Sequence, residues 1–365
     1  MNDSNIFDEL MKLLNQPGPV NWALAAQIAD HLTGERQPID PWLADEYIDL
    51  TRLAQLRITD ATSLDPGPLV DTIPLDQAEW ATRNLRSFRY LVEPLADKLA
   101  DAPSTGAMDA VLKPLAPALL GMQMGVMVGL LSQKVLGQFD VGLPTADHGD
   151  LYYVVPNIEA FATERRLDPR QVRLWAALHE VIHQVQFARQ WVRPHFRKLI
   201  EDYIASMEVD TSAFGDRMAD FNDPARLAEM MQEGGGFPSL LSGPEHSDQL
   251  EAIQAFLSII ESHGEHLMDR AAADLLPDLS GIRAAMTERR DASSEESMLG
   301  GMFGTEMNRG RYLPGDSFCS EVESRWGGEA LTRIWDGPGN LPTLAELGDA
   351  TGWAARVLLE DPSSP

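Results

Sequence analysis

The segment Pro114–Leu131 most restricts how this chain can fold, because its 18 residues include a single polar side chain, Gln123. A helix that is apolar on all sides lies either in a membrane or inside a large core. The length is near the lower limit for a membrane span, and two prolines stand near its start. Three glycines recur at every fourth position, a spacing that lets another backbone approach closely: Gly121, Gly125 and Gly129. We therefore predict a buried core helix, with a membrane span as the alternative.

Most of the remaining chain carries apolar residues at helical spacing. The predicted helices are Asn21–Thr33, Leu75–Leu99, Val111–Leu136, Asp168–Arg189, Pro194–Met207, Pro224–Glu233, Ser247–Leu275 and Glu321–Ile334, with a short amphipathic helix in the first 14 residues. Strand signals are few. Leu151–Val155 is rich in β-branched and aromatic residues, and Phe139–Leu143 is a weaker candidate. The pattern predicts a mainly α fold with a minor small sheet.

Three stretches interrupt the helical pattern. Pro66–Pro74 is proline-rich, Glu233–Pro244 is a glycine-rich connection, and Arg289–Gly304 is typical of an exposed loop. None of them separates two self-sufficient cores, because the candidate metal ligands described below fall on both sides of Glu233–Pro244. We therefore predict one α-rich unit over residues 1–360, followed by a tail at 361–365.

The composition excludes some partners. The chain has 56 acidic and 29 basic residues, which gives a formal net charge of -27. Such a surface repels phosphate backbones and anionic lipid, so we expect no nucleic-acid binding and no stable membrane insertion. The single cysteine, Cys319, has no internal disulfide partner and suits a reducing compartment. The first residues lack the basic and apolar regions of a secretory signal, so the expected location is cytoplasmic.

The predicted helix over about 168–190 carries the clearest chemistry. Asp168 is suited to its N-cap, and the proline that follows suits the first helical turn. His179 and His183 are one turn apart, so both imidazoles project from one face and can bind one metal ion. Glu180 lies beside the first histidine, where it can deprotonate a metal-bound water without occupying a coordination position. This HExxH arrangement predicts a zinc site with its own base.

A catalytic zinc site usually has three protein ligands and a water. The predicted helix over about 247–275 is the source of the third, because acidic side chains interrupt its apolar pattern. Glu261, Glu265 and Asp269 are four residues apart, on one face. We assign Glu261 as the ligand and Glu265 as the carboxylate that accepts the N–H of a liganded histidine. In the alternative register, Glu265 is the ligand and Asp269 supports it. Direct ligation by a histidine that points off this face is a third option: His263 or His266.

Several stretches resemble a bacterial family of zincin-like hydrolases with no settled substrate, found mostly in actinobacteria and Chloroflexus-type bacteria. Some of its members are labelled as associated with deazaflavin-coenzyme biosynthesis. The resembling stretches extend across most of the chain, and 151–187 is the most specific of them: 20–34 (VNWALAAQIADHLTG), 129–144 (GLLSQKVLGQFDVGLP), 151–187 (LYYVVPNIEAFATERRLDPRQVRLWAALHEVIHQVQF), 256–269 (FLSIIESHGEHLMD) and 311–318 (RYLPGDSF).

The resemblance implies a zincin-like metallopeptidase architecture built around the HExxH helix, with a zinc ion bound there. The family's third-ligand glutamate falls on Glu261, which favours it over Glu265. Isoleucine and serine replace the leucine and glycine that flank this glutamate in the family. The sequence also departs from the family in the run before Tyr312, which here reads MNRGRY.

These features predict a zinc-dependent hydrolase, a metallopeptidase acting on a peptide or small amide. Glu180 would take a proton from the activated water and return it to the leaving amine. Tyr312, His263 and Arg311 are candidate donors to the oxyanion. The strand Leu151–Val155 is expected to line the cleft and pair with an extended substrate. The alternative function is a catalytically silent zinc-binding or peptide-binding protein of the same fold.

Overall fold

The computed structural model describes residues 18–65, 67, 70–101, 113–140, 142–144, 150–209, 241–242, 248–292 and 314–359. Within these ranges the elements are α1 (Trp22–Thr33), α2 (Pro41–Ala61), β1 (Thr72–Leu75), α3 (Gln77–Ser87), α4 (Arg89–Asp101), α5 (Ala116–Ser132), β2 (Leu151–Val154), α6 (Val155–Arg165), α7 (Pro169–Phe187), α8 (Val192–Ser206), β3 (Glu208–Val209), β4 (Leu241–Ser242), α9 (Asp248–Ala272), α10 (Leu279–Ala292), α11 (Pro314–Trp326), α12 (Gly328–Thr332) and α13 (Ala350–Leu358). The prediction of a mainly α fold with a minor sheet is confirmed.

The apolar helix α5 packs along α1 through its glycines. A Cβ atom at Gly121 would lie 2.2 Å from the backbone oxygen of Asn21, and one at Gly125 would lie 2.6 Å from that of Ala25. The two backbones therefore approach to a distance that only glycine permits. The predicted core helix is confirmed, and no helix in the described ranges is both long and apolar enough to cross a bilayer.

The strand β2 is paired along both of its edges. It runs parallel to β1, with Thr72 opposite Leu151. On its other side, the Gln138 N–H donates to the Tyr152 carbonyl at 3.1 Å, and Gly137 forms an antiparallel bridge with Tyr153. The expectation that this strand pairs with a substrate backbone is therefore wrong, because the chain itself occupies both edges.

Other element predictions also need correction. The described part of Phe139–Leu143 is not a strand, because the chain bends at Phe139 and Asp140. The helix predicted over Leu75–Leu99 is two helices, α3 and α4, that meet at Phe88. Residues 289–292 continue α10 and are not loop. The predicted helices in the first 14 residues and over Pro224–Glu233, most of the glycine-rich connection and the 361–365 tail lie outside the described residues.

The helix α7 lies at the centre of the core. Every residue from Val172 to Phe187 is buried. The helix packs against α2, α6 and α9, and one hydrophobic cluster extends from Val20 to Val357. The motif residues consequently lie inside the protein, against neighbours that fix their side chains. The single unit over 1–360 stays a prediction.

Candidate metal centre

The helix α7 begins as the sequence predicts. Oδ1 of Asp168 accepts hydrogen bonds from the backbone N–H groups of Arg170 and Gln171, at 2.9 and 3.1 Å. These bonds satisfy two of the free N–H groups at the helix N-terminus. The cap fixes where the helix starts and therefore which face carries its histidines.

The two histidines of α7 converge on one point. Nε2 of His179 and Nε2 of His183 lie 3.3 Å apart. Each ring stacks on an aromatic side chain of its own helix, His179 on Trp175 and His183 on Phe187. Two nitrogen ligands of one tetrahedral zinc ion, each at 2.0–2.1 Å, are separated by about 3.3 Å. The pair therefore has the spacing that one zinc ion requires.

The carboxylate of Glu180 is buried and anchored, with the residue only 2% exposed. Its Oε2 accepts hydrogen bonds from the backbone N–H groups of Gln138 and Phe139, both at 2.9 Å. Its Oε1 lies 3.5 Å from Nδ1 of His179. Burial raises the pKa of Glu180 above its ordinary value, although the hydrogen bonds and His179 oppose the shift. A carboxyl with a raised pKa is a better proton acceptor than a solvated one.

The charges around His179 favour its protonated form. Burial lowers the pKa of this imidazole, but the carboxylates of Glu180, Asp140 and Glu261 outweigh burial, and the pKa is raised. The same negative charges would favour a bound metal cation. Of these carboxylates, Glu261 alone comes from the facing helix α9.

The helix α9 passes directly over His183. A Cβ atom at Gly264 would lie 3.5 Å from Cε1 and 3.9 Å from Nε2 of His183. Glu261 lies three residues earlier, so it belongs to the same side of α9. The described residues include no group of three His, Cys, Asp or Glu side chains already in position for one metal ion. The two histidines are thus in position for one metal ion. Glu261, the predicted third ligand, acts on His179 through its negative charge.

The other acidic side chains of α9 face a different neighbour. The side chain of Glu265 is 40% exposed and lies 3.5 Å from Arg283, which also pairs with Asp269 at 2.5 Å. This geometry favours neither Glu265 nor Asp269 as support for a histidine. At His183, Oε1 of Gln186 lies 2.8 Å from Nδ1. The supporting role of Glu265 stays a prediction.

The two histidines of α9 are engaged away from the histidine pair. His263 is buried between Gln186 and Trp335, whose side-chain nitrogens lie 3.1 and 3.3 Å from its ring nitrogens. Burial lowers its pKa to about 3, so it is neutral at ordinary pH. His266 lies 2.7 Å from Glu323. His263 is therefore enclosed by neighbouring side chains and is not open to a substrate. Tyr312 and Arg311 lie outside the described residues.

Sequence reasoning missed a buried ion pair beside the centre. Asp140 lies 2.7 Å from Arg289 and also accepts the backbone N–H of Leu136 at 2.9 Å. Burial raises the pKa of Asp140, but Arg289 outweighs it and holds the pKa well below its usual range. The pair holds the segment whose amides bind Glu180. The sequence signal was weak, because the two residues are 149 positions apart.

A family model described as zincin-like metallopeptidase matches residues 20–354, which include both histidines and Glu261. The chain belongs to this zincin-like family. A crystal structure of a proposed hydrolase with a novel fold, from Chloroflexus aurantiacus, matches it with a TM-score of 0.68 and 25% sequence identity. The match covers 94% of this chain and 100% of that one. No curated protein matches. Family and structural match together support a hydrolase.

Proposed function

We propose that this zincin-like protein is a zinc-dependent hydrolase of peptide or small amide bonds, with His179, His183 and Glu261 as metal ligands. The observation that carries the proposal is the 3.3 Å separation of the two Nε2 atoms. Imidazole nitrogen and carboxylate oxygen are both donors that zinc accepts. When bound, zinc supplies Lewis-acid chemistry, which polarises a carbonyl group and lowers the pKa of water toward about 7.

Glu180 is the proposed general base. Its Oε2 is held by two backbone amides, so the carboxylate has a fixed orientation and Oε1 is the oxygen we assign to proton transfer. Burial keeps its pKa raised, which strengthens it as a proton acceptor. It would accept a proton from the attacking water and return it to the leaving amine.

A catalytically silent zinc-binding protein is the second candidate, and one observation favours it. Glu180 is almost fully buried and both of its oxygens already have partners. A carboxylate in this position can hold the 137–139 segment and His179 without taking part in any reaction. The two candidates agree on the metal and differ in whether Glu180 moves a proton.

Metal analysis combined with a substrate screen separates these candidates. Protein purified without chelator or added metal would be analysed for zinc, then tested on peptide libraries and small amides beside Glu180→Gln. We expect one zinc per chain in both proteins and at least a 100-fold lower turnover in the variant, since a general base contributes about 10²–10⁴-fold. Equal turnover in both would contradict the role of Glu180. Full zinc with no turnover in either would favour the silent protein.

A further inference from the structure

One side chain connects the histidine pair to the helix that carries Glu261. The amide of Gln186 contacts His183 through its oxygen, which lies 2.8 Å from Nδ1. Its nitrogen donates to the backbone carbonyl of Ile260 in α9, also at 2.8 Å. Gln186 itself is fully buried. No solvent therefore competes for either end of this amide.

The carbonyl of Ile260 determines which way the amide points. A carbonyl oxygen only accepts hydrogen bonds, so the NH2 group of Gln186 must face Ile260 and its oxygen must face His183. An amide oxygen also only accepts, so Nδ1 of His183 carries the hydrogen. In the neutral ring, Nε2 is then left with its lone pair, and this is the nitrogen that faces His179. The hydrogen bond between Gln186 and the Ile260 carbonyl of α9 thus fixes the His183 tautomer that can bind a metal through Nε2.

The same contact positions the predicted third ligand. Ile260 directly precedes Glu261, so the hydrogen bond from Gln186 anchors the turn of α9 from which Glu261 projects. Gly264, one turn later, has no side chain and lets α9 lie against His183. We infer that Gln186 is a positioning residue for the zinc site, which sets the tautomer of His183 and the location of Glu261 together. This inference rests on the proposed function.

Two variants separate these two effects. Gln186→Met has a similar size but neither donates nor accepts in the manner of an amide, so both effects are lost. Gln186→Glu still accepts from Nδ1 of His183 but presents a carboxylate oxygen both to the Ile260 carbonyl and to Nδ1 of His263, so the hydrogen bond to Ile260 is lost. Gln184→Met, at a buried glutamine of the same helix, is the matched control.

Zinc affinity would be measured by competition with a chromophoric chelator, and the tautomer of His183 by nitrogen-15 NMR of metal-free protein labelled at histidine. We expect Gln186→Met to bind zinc about 10–100-fold more weakly, the usual effect of losing a partner of a liganded histidine. Its metal-free spectrum should show His183 losing the pure Nδ1–H form. Gln186→Glu should keep the Nδ1–H form but still bind zinc more weakly than Gln184→Met.

Wild-type affinity together with an unchanged tautomer in Gln186→Met would overturn the inference. If that variant does not fold, Gln186→Glu decides, and wild-type zinc affinity in it would remove the link to Glu261. If the wild-type protein binds no zinc, the proposed function fails, while the NMR measurement still shows whether Gln186 sets the His183 tautomer.

Discussion

Gly137 lies directly against the carboxylate of Glu180, so closely that a Cβ atom at Gly137 would be 2.4 Å from Oε1. The carboxylate has little freedom to move away, because the amides of Gln138 and Phe139 hold Oε2. We expect Gly137→Ala to destabilise the fold by about 1–3 kcal/mol through overpacking and to displace the proposed base. Urea unfolding measures the first effect. Gly339→Ala, where a Cβ meets no atom within 4 Å, is the control and should unfold like the wild type.

The two acidic residues proposed for zinc can be distinguished by a matched pair of variants. Glu261→Gln removes the predicted third ligand and should weaken zinc binding by more than about 100-fold, beyond the effect of losing a supporting residue. Glu265→Gln should have little effect, because Glu265 is half-exposed and lies beside Arg283. Chelator competition measures both affinities. A larger loss in Glu265→Gln would show that the other register supplies the ligand.

The buried pair of Asp140 and Arg289 should contribute strongly to stability. Asp140→Asn leaves the Arg289 guanidinium without its carboxylate and should cost about 3 kcal/mol in the free energy of unfolding. Asp49→Asn breaks the exposed pair with Arg52 and should change stability by no more than about 0.5 kcal/mol. Urea denaturation of both variants at neutral pH provides the comparison. Equal effects would mean that burial does not strengthen the pair at Asp140.

The close contact between α1 and α5 should not tolerate a side chain. Gly121→Ala places a Cβ within 2.2 Å of a backbone oxygen, which cannot rotate away as a side chain would. We expect a loss of about 1–3 kcal/mol or more, with a lower thermal midpoint. Gly348→Ala, whose Cβ would meet no atom within 4 Å, should melt at the wild-type temperature. A wild-type midpoint in Gly121→Ala would mean that the two helices separate at little cost.

His263 should make the metal-free protein less stable in mild acid. Its folded pKa is lowered to about 3, whereas the unfolded chain binds a proton below about 6.5. The unfolded state therefore gains protons first, and stability should fall as the pH drops below about 6.5. The slope from this residue approaches about 1.4 kcal/mol per pH unit. In urea titrations from pH 7 to 5, the difference between wild type and His263→Gln should show this slope, and its absence would contradict the neutral buried state.

The helices predicted best are those whose ends are marked by capping residues in the local sequence. Asn21–Thr33 and Asp168–Arg189 agree with α1 and α7 to within a few residues, because each begins at a side chain that caps its first N–H groups. The sequence pattern did not predict the strand β1, because it is four residues long and contains Pro74. Its strand geometry comes from pairing with β2, which lies 79 positions later.

Sequence alone determined the HExxH motif, its helix and the face that carries both histidines, since helical periodicity places residues four apart on one side. It also indicated the family that the comparison confirms over residues 20–354. Only the tertiary structure decided the surroundings of the site. It placed Arg283 beside Glu265, the amides of Gln138 and Phe139 on Glu180, and Gln186 between His183 and α9. Most of these contacts join residues that are far apart in the sequence. The others depend on how neighbouring helices pack around a side chain, and a local sequence pattern predicts neither kind of contact.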